Sequence, residues 1–156
     1  MENIVLDSAD RRILAVLQEQ PEISIAELAP LVGLSQTPCW RRMKRLQEVG
    51  VIAGRVWLLR PEALGLTVNV FAQLKLKQHD EETLEALESR ARALPQVVEC
   101  FSMSGDGDYL LRVVVASVSD YERLLKKVLL HLPGVGSVSS SFALAAVKVT
   151  TKLPLD

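Results

Sequence analysis

Residues 23–46 read Ile23-Ser24-Ile25-Ala26-Glu27-Leu28-Ala29-Pro30-Leu31-Val32-Gly33-Leu34-Ser35-Gln36-Thr37-Pro38-Cys39-Trp40-Arg41-Arg42-Met43-Lys44-Arg45-Leu46. Ser24, with Glu27 three residues later, is a capping box, which opens a helix by satisfying two free backbone N–H groups reciprocally. Ile25, Leu28, Ala29 and Val32 then fall on one face. Gly33 supplies a pliable turn. Ser35 or Thr37 is expected to cap a third helix, with Pro38 tolerated in its first turn. That helix is expected to pack through Trp40, Met43 and Leu46 and to end at Gly50. Two short helices joined by a glycine turn, the second strongly basic, are the pattern of a helix-turn-helix: one helix braces, the next enters the DNA major groove.

Outward from this stretch, a first helix begins near Leu6-Asp7-Ser8, capped by Asp7, with Asp10 in the first turn where the helix dipole favours a carboxylate. Ala9, Ile13 and Leu17 form its buried stripe, helped by Leu6 and Leu14, and Pro21 follows its end. On the far side, Val51-Ile52 and Val56-Trp57-Leu58-Leu59 read as short extended segments, a wing and the start of a linker. Pro61-Glu62-Ala63-Leu64-Gly65 breaks the pattern. The expected division is a winged helix-turn-helix over 1–60, a linker over 61–67 and a second domain over 68–156.

The second half carries an internal repeat. Val68 to Lys77 ends in strand-like alternation, and Leu84, Leu87, Ala91 and Leu94 mark one face of a helix. Leu94-Pro95-Gln96-Val97 opens a strand through Cys100 and Met103, and Gly105-Asp106-Gly107 turns the chain. Then the order returns: a strand from Tyr109 to Val115, and a helix lined by Tyr121, Leu124, Leu125, Val128, Leu129 and Leu132. A last strand, opened by Leu132-Pro133-Gly134-Val135, is expected to run through Phe142, Leu144 and Val147. The two Leu-Pro-x-Val joints lie 38 residues apart. Two fused βαβ units give a four-stranded antiparallel sheet with both helices on one face.

Composition narrows the class. With 156 residues and 49% apolar content, the chain fills a core and is not disordered. Small domains leave much surface exposed, which makes oligomers plausible. The formal net charge of −1 hides a local excess: Arg41, Arg42, Lys44, Arg45, Arg55 and Arg60 stand against Glu48 alone between Ser35 and Arg60. Phosphate binding depends on such local charge. Met1-Glu2-Asn3-Ile4 lacks the basic and apolar segments of a signal peptide. The tract Tyr109 to Val118 is too short to span a bilayer. Cys39 and Cys100 are isolated, with neither metal-ligand nor disulfide spacing. A protein of a reducing cytoplasm is expected, with no membrane partner, no metal and no cofactor. Neither His79 nor His131 has a nucleophile or paired carboxylate in evident reach, and no phosphate-binding glycine motif is present. No catalytic residue is assigned, and no enzyme is expected.

The order Leu6-Asp7…Asp10, Leu34-Ser35-x-Thr37-Pro38-Cys39-x-x-Arg42-x-x-Arg45-Leu46…Gly50-Val51-Ile52 and Leu64-Gly65 resembles the Lrp/AsnC, or feast-famine, transcriptional regulators. So do Gly105-Asp106-Gly107-Asp108-Tyr109-Leu110-Leu111, Leu132-Pro133-Gly134-Val135 and Ser140-Ser141-Phe142-Ala143-Leu144…Lys148-x-Thr150. The resemblance covers essentially the whole chain. It implies an α+β protein: an N-terminal winged helix-turn-helix and a C-terminal ferredoxin-like βαββαβ domain for sensing and oligomerisation. Within the family, Thr37 to Arg42, Ser140 to Ala143 and Lys148 to Pro154 look most like the subgroup regulating cysteine detoxification. Two departures stand out. Pro21-Glu22 replaces a common Gly-Arg, and Gly107 replaces a bulky residue between two acids, which removes a side-chain wall and adds backbone freedom there.

From these readings the third helix is the DNA reader, through Ser35, Gln36, Thr37, Trp40, Arg41, Arg42, Lys44 and Arg45. Arg pairs bidentately with guanine and Gln with adenine. Arg42 either clamps phosphate or braces the domain. For the charges alone, an ordinary solvated helix face is the competing explanation. Trp40 is either a core aromatic, the preferred reading, or a base contact. Cys39 is either a packing residue, again preferred, or a thiol sensor.

The effector candidates are Met103, Gly105, Asp106, Gly107, Asp108, Tyr109, Ser139 and Ser140. Loop amides there suit an amino acid carboxylate, and Asp106 or Asp108 an ammonium. A plain Gly-Asp hairpin turn is the bland alternative. The resemblance implies a small amino-acid effector bound between subunits, a homodimer assembling to a higher oligomer such as an octamer, and double-stranded DNA contacted at half-sites about one turn, ~34 Å, apart. A bacterial or archaeal, nucleoid-associated location follows. An architectural DNA-binding protein without an effector, or less readily an enzyme on the ferredoxin-like fold, are the alternatives.

Overall fold

The first two helices of the first unit start where a side chain satisfies their free N–H groups. The computed structural model describes residues 4–155, so the N-terminal residues 1–3 read for a signal peptide, and Asp156, lie outside the described residues. Helix α1 (Ser8–Glu19) is capped by Asp7, whose Oδ1 accepts from the Asp10 N–H at 2.9 Å, while Asp10 Oδ2 accepts from the Asp7 N–H at 3.2 Å. Helix α2 (Ile25–Leu31) opens with the expected box: Ser24 Oγ accepts from the Glu27 N–H and Glu27 Oε2 from the Ser24 N–H. Gly33, at φ 69°, turns the chain in a backbone region that a side chain would strain. Helix α3 (Gln36–Glu48) follows, with Ser35 at its N-cap position. Neither Ser35 nor Thr37 caps it as expected: Ser35 makes no side-chain cap bond, and Thr37 already lies inside the helix.

Ile13, Leu14, Leu28, Ala29, Val32, Cys39, Met43 and Leu46 form the first core. Trp40, expected inside, is 51% exposed. The inward seam of α3 runs through Cys39, Met43 and Leu46, and Trp40, one residue on from Cys39, is rotated about 100° away from it.

The expected wing does not form: residues 53–60 pair with no strand, and Val56, Trp57, Leu58 and Leu59 stand exposed. The C-terminal segment from Lys148, read from sequence as part of the second domain, groups among the described residues with the unit that ends at Leu58. Gln18 clamps it, its Oε1 accepting from the Leu153 N–H at 2.6 Å and its Nε2 donating to the Leu153 carbonyl at 3.1 Å. Lys152 pairs with Glu19, Arg11 donates to the Leu155 carbonyl, and Leu155 packs on the core. Side chains of α1 thus satisfy tail backbone groups that would otherwise bond to water.

The second unit (59–147) is a βαββαβ fold: β1 (Val68–Leu76), α4 (Glu81–Ala93), β2 (Val97–Ser102), β3 (Tyr109–Val115), α5 (Val118–Lys127) and β4 (Val135–Phe142). The strands lie in the order β2-β3-β1-β4, all neighbours antiparallel. Val70, Ala72, Leu74 and Leu76 of β1 and Tyr109, Leu111, Val113 and Val115 of β3 bury one face with Leu87, Tyr121 and Leu124 from the helices. Period-two alternation thus puts both helices on one side.

Three segments are shorter than the sequence reading has them, and one of these, β2, ends at Ser102 and leaves Met103 outside the strand. Helix α5 stops at Lys127, and Leu129–His131 form a 3₁₀ turn that still buries Leu129 and Leu132. Strand β4 ends at Phe142; the Ala143 N–H still donates to the Asn69 carbonyl, and Leu144 and Val147 beyond it stand exposed.

Candidate nucleic-acid interface and effector loop

On α3 the positions alternate between two jobs. Cys39, Met43 and Leu46 face the core, so Gln36, Thr37, Trp40, Arg41 and Lys44 share the opposite, exposed face. Lys44 lies over the Trp40 ring and 3.7 Å from Glu48. Arg41 makes no ion pair among the described residues. An exposed face of amide, hydroxyl, indole, guanidinium and ammonium can meet base edges and phosphates.

Arg42 and Arg45 point elsewhere. Arg42 Nη1 lies 2.6 Å from Asp7 Oδ2 and 2.9 Å from Asp10 Oδ1, and Arg45 Nη2 lies 2.5 Å from Asp10 Oδ2. The structure therefore takes Arg45 out of the free, outward set to which the sequence reading assigns it, and gives Arg42 the bracing role. Hydrogen bonding to both aspartates raises the Arg42 pKa further. Asp7 titrates below the usual carboxylate range, chiefly because it accepts the Asp10 N–H and then the Arg42 guanidinium. The sequence reading gives Asp7 a capping role and Asp10 a place in the first turn favoured by the helix dipole, and neither an ion pair. The signal it passed over was two acids three residues apart, set against two arginines three residues apart on a facing helix. Cys39 is fully buried and desolvation raises its thiol pKa, which suits packing and not a reactive thiolate.

The second candidate region is the β2–β3 loop. Met103, Gly105 and Asp106 stand on its exposed rim, and Gly105 turns at φ 120°. Gly107 is buried, and a methyl group built on it would overlap Nε2, Cγ and Cδ of Gln73. Asp108 is already committed: its Oδ2 accepts from the Leu76 N–H at 2.7 Å and its Oδ1 pairs with His79 Nε2 at 2.9 Å. These contacts, the Leu76 amide foremost, depress its pKa and remove it as a free ammonium partner.

Tyr109 and Ser140 lie on the helix-covered face, away from Ser139. Tyr109 Oη donates to Glu88 at 3.0 Å, and burial together with that carboxylate pushes its pKa up to about 12. Ser140 Oγ is bonded to Tyr121 Oη at 2.5 Å. Adjacent serines on a strand cannot share a face, so Ser139 and Ser140 do not line one pocket within this chain.

On the uncovered face, the register sets Phe101, Leu110, Gln73 and Ser139 in one row across all four strands. Gln73 thus links Ser139 to the Gly107 loop, a position that sequence reasoning missed. The signal was its odd-numbered place in β1, beside Phe71 and Lys75. Around this row Met103, Gly105, Asp106 and Ser139 stand exposed, while Gly107 is buried against Gln73.

Comparison with known proteins fits both regions. Residues 6–47 match the AsnC-type helix-turn-helix domain, and residues 69–153 match the Lrp/AsnC ligand binding domain. The chain is 39% identical to the DNA-binding transcriptional activator DecR of Escherichia coli K12 over 152 residues, 97% of this chain and 100% of that one. It is 40% identical over 153 residues to the leucine-responsive regulatory protein of Haemophilus influenzae, covering 98% and 92% of the two chains. A transcriptional regulator from Neisseria meningitidis, solved as a complex with L-Met, superposes with a TM-score of 0.92 at 34% identity, over 97% and 98% of the chains.

Proposed function

The chain belongs to the Lrp/AsnC family of DNA-binding transcriptional regulators, and from that membership we propose a sequence-specific regulator of amino-acid metabolism tuned by a small amino acid. The observation that carries this reading is the exposed face of α3, where Gln36, Thr37, Trp40, Arg41 and Lys44 stand together while Arg42 and Arg45 are held back. Ser35 sits at the N-terminal end of that face, where a helix start meets phosphate.

The uncovered sheet face, with Phe71, Phe101 and Leu110 outward, supports pairing of two copies through their sheets, with dimers stacking into a higher oligomer such as an octamer. Two copies then present two α3 helices to neighbouring half-sites. The effector shelf comprises Met103, Gly105, Asp106, Gly107 and Ser139, joined by Gln73. The exposure of Met103, Gly105, Asp106 and Ser139 within one chain supports completion by a neighbouring subunit. The L-Met complex of the Neisseria regulator supports an amino acid as the ligand class. The likeness of Thr37 to Arg42 to the cysteine-detoxification subgroup makes cysteine the first candidate. The protein works in the cytoplasm, on the chromosome, without catalysing a reaction. No described helix is long and apolar enough to cross a membrane.

An effector changes transcription only by binding two states with different affinity, typically a coupling of ~1–3 kcal/mol. Thermal melting with each of the twenty amino acids tests the ligand half of the reading. One or a few should raise the melting temperature with concentration. No shift with any of them would remove the sensor role.

A further inference from the structure

Asp10 is 1% exposed, and both of its carboxylate oxygens are occupied by groups from elsewhere in the helical unit. Oδ1 accepts from Arg42, and Oδ2 accepts from Arg45 and from the Asp7 N–H. Asp7 adds a second carboxylate to Arg42. A buried carboxylate is tolerated only when paired, so the arginines satisfy Asp10. Seen from α3, the same contacts neutralise two of its four cations. Neither guanidinium is sealed in protein, since the Arg42 and Arg45 side chains keep 31% and 44% of their exposure. They are near the surface and free to swing outward once the acids are removed.

We propose that Asp10, seconded by Asp7, is a positioning residue for DNA recognition that holds Arg42 and Arg45 away from the phosphate backbone and so sets specificity against nonspecific affinity. The inference rests on the reading of α3 as the DNA reader. Phosphate contacts carry affinity but no sequence information. Four free cations on one short helix would therefore raise binding to every sequence. With two of them turned back, the outward face keeps Gln36, Thr37, Trp40, Arg41 and Lys44, the groups that can discriminate between bases. The quantity at stake is the ratio of specific to nonspecific binding, which governs site selection in a genome.

The test is the salt dependence of binding to a short random-sequence duplex, followed by fluorescence anisotropy, with helix content and melting checked by circular dichroism. Asp7→Asn keeps a good N-cap residue and removes the charge, and Asp10→Asn keeps the shape. The double variant should bind the random duplex more tightly than wild type. Its slope of log affinity against log salt should steepen by about 0.9 for each arginine released. In the otherwise wild-type chain, Arg42→Gln and Arg45→Gln should leave the slope unchanged, whereas Arg41→Gln should lower it by about 0.9.

Return of the slope by about 0.9 with Arg42→Gln, and to its original value with Arg42→Gln/Arg45→Gln, in the Asp7→Asn/Asp10→Asn background would separate charge release from loss of structure. A folded double variant with an unchanged slope would overturn the proposal. So would Arg42→Gln or Arg45→Gln lowering the slope as Arg41→Gln does, a measurement that stands even if Asp10→Asn fails to fold. A wild-type protein with no affinity for duplex DNA would overturn the underlying reading of α3, and that outcome is distinct from the other two.

Discussion

The Lys44 ammonium lies 5.4 Å from the centroid of the Trp40 ring, and both side chains stand in solvent one turn apart on α3. An exposed indole under a cation is a poor core residue and a good surface for stacking against sugar or base. Trp40 should therefore matter to binding and little to stability. Trp40→Phe should shift stability by no more than about 0.5 kcal/mol, as surface changes do. In a Trp57→Phe background, which leaves Trp40 as the single tryptophan, its fluorescence should change on adding duplex DNA. A large loss of stability with no fluorescence response would return Trp40 to a structural role.

Gly107 meets Gln73 with no space between for a methyl group. Gly107→Ala should push the Gln73 side chain aside at a cost of about 1 kcal/mol and alter the amino-acid response of the melting temperature. Much of that cost should vanish in a Gln73→Ala background, as a double-mutant cycle reports for groups in contact. Equal costs in both backgrounds would show that the two residues are not coupled.

The C-terminal tail is held by Gln18, Glu19 and Arg11 of α1. A full-length chain shortened to end at Lys148 should lose roughly 1–2 kcal/mol from the helical unit, through the lost hydrogen bonds and the uncovering of apolar surface beneath Leu155. Hydrogen exchange should locate the loss in α1 and spare the sheet. Unchanged protection in α1 would make the tail a bystander.

Asp108 titrates below its ordinary value of 3.8 because the Leu76 amide and His79 favour its charged form. A depressed folded pKa gives stability that is present above the unfolded value and lost as pH falls through the folded one. Denaturation midpoints of the wild type should therefore drop as pH falls below 3.8, and Asp108→Asn should flatten that part of the profile. Parallel profiles for the two proteins would remove Asp108 from the acid limb.

Much of this architecture was legible because the signals were local. Ser24 and Glu27 announced α2, and the two Leu-Pro-x-Val joints marked where each helix of the sheet domain hands over to a strand. What escaped depended on neighbours distant in sequence. Trp40 looked like core by hydropathy, yet Cys39 fills the inward position and rotates Trp40 into solvent. Ser139 and Ser140 looked like one pair of hydroxyls until strand alternation divided them between faces. The wing residues Val56 to Leu59 had strand propensity but find no partner strand within the chain. Arg45 looked free because its acid, Asp10, lies 35 positions away. Gln73 drew no attention, since only the folded register brings it beside Ser139 and Gly107.

The proposed function rests on the outward face of α3 reading DNA. The most direct test takes a duplex selected by the wild-type protein from a random pool and compares wild type with an Arg41→Ala/Lys44→Ala variant across a salt series. Loss of the two outward cations should weaken binding more than about tenfold and lower the salt slope by roughly 1.8 per chain, with melting unchanged. A folded variant that binds the same duplex with undiminished affinity and slope would contradict that reading.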